Sequence, residues 1–429
     1  MTLWPIALLA FFFIIGTPVA FAMILAVIPY FIADPYIAVS VIAQKLLGNC
    51  ESISLMAVPF FIVAGTIMTY SGIMERLLNL ADMLVGHFTG GLGMVNVVLS
   101  TLMGGISGSG AADCAQDCKI LVPEMVKHGY DKPFCAAVTA ASGCITPIIP
   151  PGVALVVFAC ICECSVGKLL ATGYIPGLLL CLAQLLVVYV ICKKRGYKGV
   201  RKHIAPLKEI LRSALGSIWA LFLPFGLIMA LRAGVCTPTE GGVLMAVYSL
   251  IVGKFVYKKM KFGDLPKIIM EAALSTAPVM LILCAANLFS YFMSWENIPA
   301  ALTKLLLEFT SNKYLFLFVC NILFLILGCF MDGTACMIII APLLVPVALQ
   351  LGINIYHFGL IICLNIGLGA ITPPFGTYLF LVSGTLKIRT TDVYREVIPF
   401  VLVCLAVLFL VTYCPWLVTI IPKLMYGSI

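Results

Sequence analysis

Residues 143–152 read GCITPIIPPG, and they decide the fold because they interrupt an otherwise apolar helix. The flanking stretches are FCAAVTAAS before and VALVVFACI after. Each interior proline removes a backbone hydrogen bond and clashes with the preceding turn. In hydrocarbon no water replaces the lost bond, so broken backbone is tolerated only where protein or a wet cavity surrounds it. The stretch therefore predicts a site at membrane depth.

The composition predicts an all-α polytopic membrane protein. Of the 429 residues, 62% are hydrophobic and 10% are charged, whereas soluble domains have about 25% charged residues. Apolar runs of about 20 residues, the length that spans a bilayer, occur along the whole chain. The sequence contains no G-x-S-x-G, H-E-x-x-H or phosphate-binding glycine loop, so nothing in it indicates an enzyme or an ATPase.

Hydropathy divides the chain into three kinds of segment. Spanning helices are predicted at 3–30 (a retained helix rather than a signal peptide), 52–71, 133–163, 168–192, 216–233, 237–257, 266–295, 354–383 and 397–421. Amphipathic helices along the interface are predicted at 36–49, 73–88 and 297–311. Two apolar segments, 92–127 and 315–350, are broken near their middles by GGISGSGAAD and GCFMDGTAC, which predicts helical hairpins that dip into the membrane and return.

Basic loops give a consistent topology. Residues 193–212, 254–267 and 387–395 are rich in lysine and arginine, and all three fall on the cytoplasmic side in one assignment. Five crossings then separate the two hairpins. Since that number is odd, the second hairpin is inverted relative to the first.

A repeat relates the two halves. LVPEMVKHGYD (121–131) matches LVPVALQLGIN (344–354) at a sequence offset of 223. ITPIIPPG (145–152) matches ITPPFG (371–376) at an offset of 226, which we interpret as a small gap in the connecting helix. Inverted repeats with broken helices are typical of secondary transporters, whose sites lie near the membrane midplane.

Broken helices expose unpaired amide and carbonyl groups, and their N-termini favour carboxylates while their C-termini favour cations. Hydroxyl side chains near the breaks add neutral oxygen ligands, which hard cations such as Na⁺ prefer. These hydroxyls belong to Ser107, Ser109, Ser142, Thr146, Thr334 and Thr372.

Asp113 and Asp332 are the candidate functional acids, because a carboxylate at membrane depth is costly. The alternative for both is helix N-capping. Asp117 and Lys119 are predicted to pair or to extend toward the cytoplasm, and Glu240 in TPTEGG is predicted to cap a helix. The 18 cysteines lie mostly in apolar segments and are interpreted as packing residues.

The sequence resembles a known family over nearly its whole length. The segment 104–152 followed by YIPGLLL (174–180) is similar to the large membrane subunit of tripartite ATP-independent periplasmic (TRAP) transporters, and so are VPFFIVAG (58–65), TPTEGG, GCFMDGTA and GLGAITPPFG (367–376). The resemblance implies a sodium-coupled importer of small organic anions in a bacterial or archaeal inner membrane. It also implies an elevator mechanism, a small four-helix membrane subunit and a periplasmic substrate-binding protein.

The resemblance also implies site residues. Two or more Na⁺ ions are expected, one between the first hairpin tip and first break, the other between the second tip and second break. The first set is Ser107, Gly108, Ser109, Ser142, Gly143 and Thr146, and the second is Asp332, Gly333, Thr334, Gly369 and Thr372. Substrate contacts are expected from Ser107, Ser109, Asp113, Asp332 and Thr334. The substrate would be a carboxylate such as a C4-dicarboxylate, sialic acid or a sugar acid.

Five regions follow from these assignments. Residues 1–91 form N-terminal scaffold helices and an interfacial arm, 92–163 the first transport repeat, 164–314 further scaffold with basic loops and a second arm, 315–384 the second transport repeat, and 385–429 a C-terminal scaffold helix. The alternative function is a stand-alone sodium/carboxylate symporter of the same fold without a binding protein.

Overall fold

The computed structural model describes residues 4–33, 36–52, 55–199, 201, 205–309, 312–330 and 333–427. In the N-terminal part, α1 spans Trp4–Ile15, α2 Val19–Ala33, α3 Ser40–Glu51, α4 Ala57–Tyr70 and α5 Ile73–Val85. The first hairpin consists of α6 (Gly91–Ser107) and α7 (Gly110–Lys127), and the first broken helix of α8 (Lys132–Gly143) and α9 (Val153–Ile161).

The middle of the chain contains α10 (Val166–Thr172), α11 (Tyr174–Arg195), α12 (Leu207–Gly216), α13 (Ile218–Arg232), α14 (Pro238–Ile251), α15 (Leu265–Trp295) and α16 (Ile298–Phe309). The second hairpin is α17 (Lys313–Phe330) and α18 (Gly333–Gln350), and the second broken helix is α19 (Ile355–Gly369) and α20 (Thr377–Leu386). The chain continues with α21 (Thr390–Tyr413) and α22 (Pro415–Tyr426). The predicted fold class, an all-α polytopic protein with two hairpins and two broken helices, is confirmed.

Helix length agrees with membrane crossing. Among the described residues, five helical stretches are long and apolar enough to span a bilayer: Val166–Arg195, Pro238–Val256, Phe262–Trp295, Gly333–Gln350 and Thr390–Tyr413. Four of them overlap predicted spans, whereas Gly333–Gln350 is the second arm of the second hairpin. The helices α4 and α5 bend by 70° at their junction, and α12 and α13 by 60°. A bend of this size fits the predicted arm at 73–88, in which the chain turns from crossing the bilayer to lying along it.

Two predicted spans are wrong in detail, because each is divided. The segment 3–30 forms two helices, since Gly16 adopts a φ of +85° and Pro18 follows shortly after it. The segment 397–421 is interrupted at Cys414, where Pro415 begins a new helix. In both places a proline at the start of the second helix lacks the N–H that would continue the first one.

The repeat extends further than the motifs in the hairpins. Tyr174–Ala183 reads YIPGLLLCLA and Val397–Ala406 reads VIPFVLVCLA, again at an offset of 223. These segments lie in α11 and α21, which pack against each other. Helix α11 also contacts α6, and α21 contacts α8 and α19. Helices α11 and α21 are therefore part of the repeat, and they pack against the hairpins and the broken helices.

Buried apolar side chains form two separate clusters. The larger one contains residues of both hairpins, both broken helices, α11 and α21, and also of α4, α5, α10, α13, α14, α15 and α22. The smaller one is built from α1, α2, α3, the C-terminal half of α15 and the start of α16. Its centre includes Met23, Phe31 and Phe292, all fully buried.

Candidate functional site

The first hairpin tip lies directly against the first break. The amide of Val153 donates to the carbonyl of Gly108, 3.2 Å away, and Gly108 has a φ of +60°. A Cβ on Gly110 would lie 2.2 Å from the carbonyl oxygen of Gly143. Only glycine permits this approach, because a contact below 3.0 Å requires the backbone to move. The stretch GCITPIIPPG is thus broken where the tip of the hairpin meets it.

Two serines and a threonine surround this contact. Ser107 ends α6 and is 8% exposed. Ser109 caps α7, and its hydroxyl accepts from the amide of Ala112 at 3.5 Å. Thr146 is fully buried in the break. These residues of the predicted first set lie in one tip and one break, which contact each other through Gly108, Gly110 and Gly143.

Asp113 points away from the surface. It is fully buried on the first turn of α7, and the hydroxyl of Thr146 donates to its Oδ2 at 2.8 Å. Oδ1 has no hydrogen-bond partner among the described residues. The capping alternative does not apply to Asp113, since Ser109 is the cap. In this conformation its carboxylate faces Thr146 rather than open space where an anionic substrate would bind.

Ser142 is held by a residue that the sequence motifs did not single out. Its hydroxyl lies 2.7 Å from Oδ1 of Asn96, whose amide in turn donates to Thr139 at 3.0 Å. The second repeat has an equivalent pair, in which the amide of Asn365 donates to Oδ1 of Asn321 at 2.7 Å. Each pair fastens one hairpin to its broken helix. Buried asparagines in apolar helices are the sequence signal that could have identified both pairs.

These contacts do not all follow one sequence offset between the two repeats. Ser142 and Asn365 stand at equivalent places, related by the offset of 223. Gly104 packs on Thr146 and Gly328 packs on Gly369, but these two glycines are 224 residues apart, and Asn96 and Asn321 are 225 apart. The motif match of Thr146 with Thr372, at 226, also has support, since each threonine lies three residues after the end of a helix, Gly143 of α8 and Gly369 of α19. The hydroxyl of Thr372 donates to the carbonyl of Leu368 at 2.7 Å, near the end of α19.

The second tip is described only in part. Asp332 lies outside the described residues, so its predicted role stays a prediction. Gly333 begins α18 against α19, where a Cβ would meet Ile366 at 2.0 Å. Thr334 is partly exposed on the first turn of α18. Gly369 ends α19 at a close approach to Gly328, with a Cβ on Gly369 only 2.7 Å from the Gly328 Cα.

Asp117 departs from its prediction. It is fully buried and accepts a hydrogen bond from the hydroxyl of Ser100 at 3.4 Å, whereas Lys119 is exposed. Residues two apart on a helix point in different directions, which is why the predicted Asp117–Lys119 pair does not form. The prediction for Glu240 is confirmed, since Thr237 and Glu240 form a reciprocal capping box.

Two cavities are lined by residues outside the tips and the breaks. The larger, of about 730 Å³, lies between the α9–α10 turn and α15, and its polar lining includes Glu163, Asn287 and Ser290. The smaller, of about 380 Å³, lies between the α4–α5 bend and α7. Gln116 and Lys259 line it, and the ammonium of Lys259 pairs with Glu75 at 2.8 Å.

Together these features define a class: a polytopic membrane transporter fold in which two hairpin tips face two broken helices. Residues 6–417 match the family described as tripartite ATP-independent periplasmic transporter, DctM component. The chain belongs to this family, the large permease subunits of TRAP transporters, which are transporter subunits and not enzymes.

Several relatives are similar over most of the chain. The sialic acid TRAP transporter large permease protein of Vibrio cholerae is 35% identical, over 96% of both proteins. The C4-dicarboxylate TRAP transporter large permease protein of Rhodobacter capsulatus is 34% identical, also over 96% of both. The isethionate TRAP transporter permease protein of Oleidesulfovibrio alaskensis is 36% identical over 95% of this chain, which spans 64% of that longer protein.

A solved structure shares the fold. The YdaH transporter of Alcanivorax borkumensis, described as having an unusual topology, superimposes with a TM-score of 0.61 over 87% of each chain. Sequence identity between the two is 15%. The likeness supports the arrangement of helices and says nothing of substrate.

Proposed function

We propose that this large permease subunit imports a small organic anion by symport with Na⁺. The observation that carries the proposal is the contact of the first tip with the first break, where Gly110 meets the carbonyl of Gly143. Helix ends and hydroxyls converge there. That donor set suits a hard monovalent cation, which takes oxygen ligands.

Five residues of the first region would hold the ion: Ser107, Gly108, Ser109, Gly143 and Thr146. Ser142 would position α8 through Asn96. In the second region, Gly369 would contribute its carbonyl, together with Asp332, Gly333 and Thr334 as the sequence predicts. When bound, the ion would supply positive charge for an anionic substrate. The hydroxyl and amide contacts to the substrate would then come from the tips, with Ser109 and Thr334 the partly exposed candidates.

The movement we propose is an elevator. The shared core of both hairpins and both broken helices supports it, because elements packed in one core can move as one body, although that core also includes residues of α4, α5, α13 and α14. The moving unit would contain both hairpins and both broken helices. It would also include α11 and α21, which extends the unit predicted from sequence, since Gln184 of α11 donates from Nε2 to the carbonyl of Ala141 at 2.9 Å.

Partners and location follow from family membership. A small membrane subunit would brace the cluster around α2 and α15, and a periplasmic binding protein would deliver substrate to the inner membrane. Family membership favours this function over the stand-alone symporter. Deleting the binding protein separates the two, since the symporter would still transport.

The test is uptake into proteoliposomes that contain the chain with its partners. Labelled succinate, sialic acid and isethionate are the first substrates, because relatives are named for these classes. An inward Na⁺ gradient should drive accumulation of at least one of them, whereas an equal K⁺ gradient should not. Accumulation that is the same under both gradients would overturn the sodium coupling. The change Asp332→Ala should abolish uptake while insertion is preserved.

A further inference from the structure

Asp113 and Asp117 form an unusual pair in the first hairpin. They are four residues apart on α7 and therefore lie on the same face, one turn from each other. Both are fully buried, and residues with this spacing on a helix have Cβ atoms about 5–6 Å apart. The side chain of Ser100, from the other arm of the hairpin, faces both.

Each carboxylate is only half satisfied. Thr146 occupies Oδ2 of Asp113 and Ser100 occupies Oδ2 of Asp117. Oδ1 of both has no hydrogen-bond partner in the described part of the chain. An unpaired polar atom in the interior costs about 1–3 kcal/mol, and more where the group is charged. Two such unpaired oxygens, on acids one helical turn apart, therefore indicate that a ligand binds there.

Within the described ranges, no side chain supplies the missing positive charge. The nearest lysine in sequence, Lys119, is exposed, and neither acid takes part in an ion pair with a described residue. Burying two carboxylates side by side without a counter-ion is strongly unfavourable. A bound cation removes both problems, because it neutralises the pair and takes up the vacant oxygens.

We propose that Asp113, Asp117 and Ser100 bind a small monovalent cation, one helical turn below the tip of the first hairpin. Its ligands are the carboxylate oxygens and the Ser100 hydroxyl, and Thr146 connects it to the broken helix. The carboxylates have no copy in the second repeat, because the equivalent positions there are Cys336 and Ile340. The proposal rests on the cation coupling above and adds a site that the hairpin tips do not contain.

The test compares thermal unfolding of the full chain in nanodiscs, in sodium chloride and in choline chloride at equal ionic strength. Sodium should stabilise the wild type. In choline, Asp117→Asn should unfold at a higher temperature than the wild type, since an uncompensated charge has been removed. Sodium should reverse this order. The Na⁺ concentration for half-maximal stabilisation should rise about tenfold or more in the variant.

Controls isolate the site. The change Asp392→Asn removes an acid that pairs with Arg389 at the exposed surface, and it should leave the sodium response unchanged. If Asp117→Asn fails to fold, Ser100→Ala keeps both acids and should weaken the sodium response alone. Its matched control is Ser249→Ala, a buried serine whose hydroxyl donates to the carbonyl of Met245 in its own helix.

Two results would overturn the proposal. One is an equal sodium response in the wild type and in both site variants, which would place all sodium binding at the tips. The other is stabilisation of the wild type in choline by acidification alone, with no site-dependent effect of sodium, which would mean that the two acids share a proton. Because the readout is stability, either result leaves the uptake test of the proposed function standing on its own.

Discussion

The hydroxyl of Thr146 donates to Oδ2 of Asp113 across 2.8 Å, and this bond joins the first broken helix to the first hairpin. Both residues are fully buried. Because the donor lies in the break and the acceptor in the hairpin, this bond forms only when the two elements are in contact. The bond therefore couples the position of the first hairpin to that of the first broken helix.

Replacing Thr146 with valine keeps the shape and removes this bond. The buried carboxylate then loses a donor, and we expect the variant to be less stable by about 1–3 kcal/mol. Thermal unfolding in nanodiscs measures the loss. Thr372→Val is the matched control, because its hydroxyl donates to the nearby carbonyl of Leu368 and its loss should cost less. Equal losses in the two variants would contradict the assigned role of Thr146.

Replacing Gly110 with alanine should separate the tip from the break. Its Cβ would lie 2.2 Å from the carbonyl of Gly143 and 2.5 Å from the hydroxyl of Tyr378, so the tip must shift. We expect uptake to fall by about tenfold or more, because in enzymes a displacement of binding groups by about 1 Å has an effect of at least this size. Gly384→Ala is the control, since among the described residues the added methyl group would meet nothing within 4 Å beyond its chain neighbours and the backbone of its own helix. Normal uptake by the Gly110 variant would show that tip contact is dispensable.

The pair of Asn96 and Ser142 should show energetic coupling. In a double-mutant cycle with Asn96→Ala and Ser142→Ala, the two losses should overlap by about 0.5–3 kcal/mol, because both remove one interaction. The same cycle at Asn321 and Asn365 should give a similar value, since the contact is equivalent. If the losses of unfolding free energy are additive in both cycles, these contacts do not stabilise the packing of the hairpins on the broken helices.

Lys259 is the ammonium that lines the smaller cavity. If an anion passes there, Lys259→Gln should slow uptake more than Lys258→Gln, which changes the neighbouring residue and lies outside the cavity lining. We expect an effect of several-fold at low salt that shrinks as salt is added, because exposed charges are screened within about 10 Å at 0.1 M ionic strength. Transport rates at two salt concentrations provide the measurement.

Much of the architecture was predictable from apolar pattern alone. The hairpins at 92–127 and 315–350 and the separate helices at the predicted arms were confirmed, because both depend on local sequence. The divided helices at Gly16 and Cys414 were missed, although Pro18 and Pro415 are visible signals. A proline near a small residue in a long apolar run is ambiguous, because the same residues occur where a helix kinks and where it ends.

The site was predicted less completely than the fold. The sequence determined the hairpin tips, the two breaks and the hydroxyls around them, because glycine, proline and serine act on the local backbone. Only the tertiary structure decided which polar groups meet. It joined Thr146 to Asp113, Ser142 to Asn96 and Ser100 to Asp117. The physical reason is that a buried hydrogen bond depends on distances of tenths of an ångström between helices far apart in sequence, and no local pattern contains those distances.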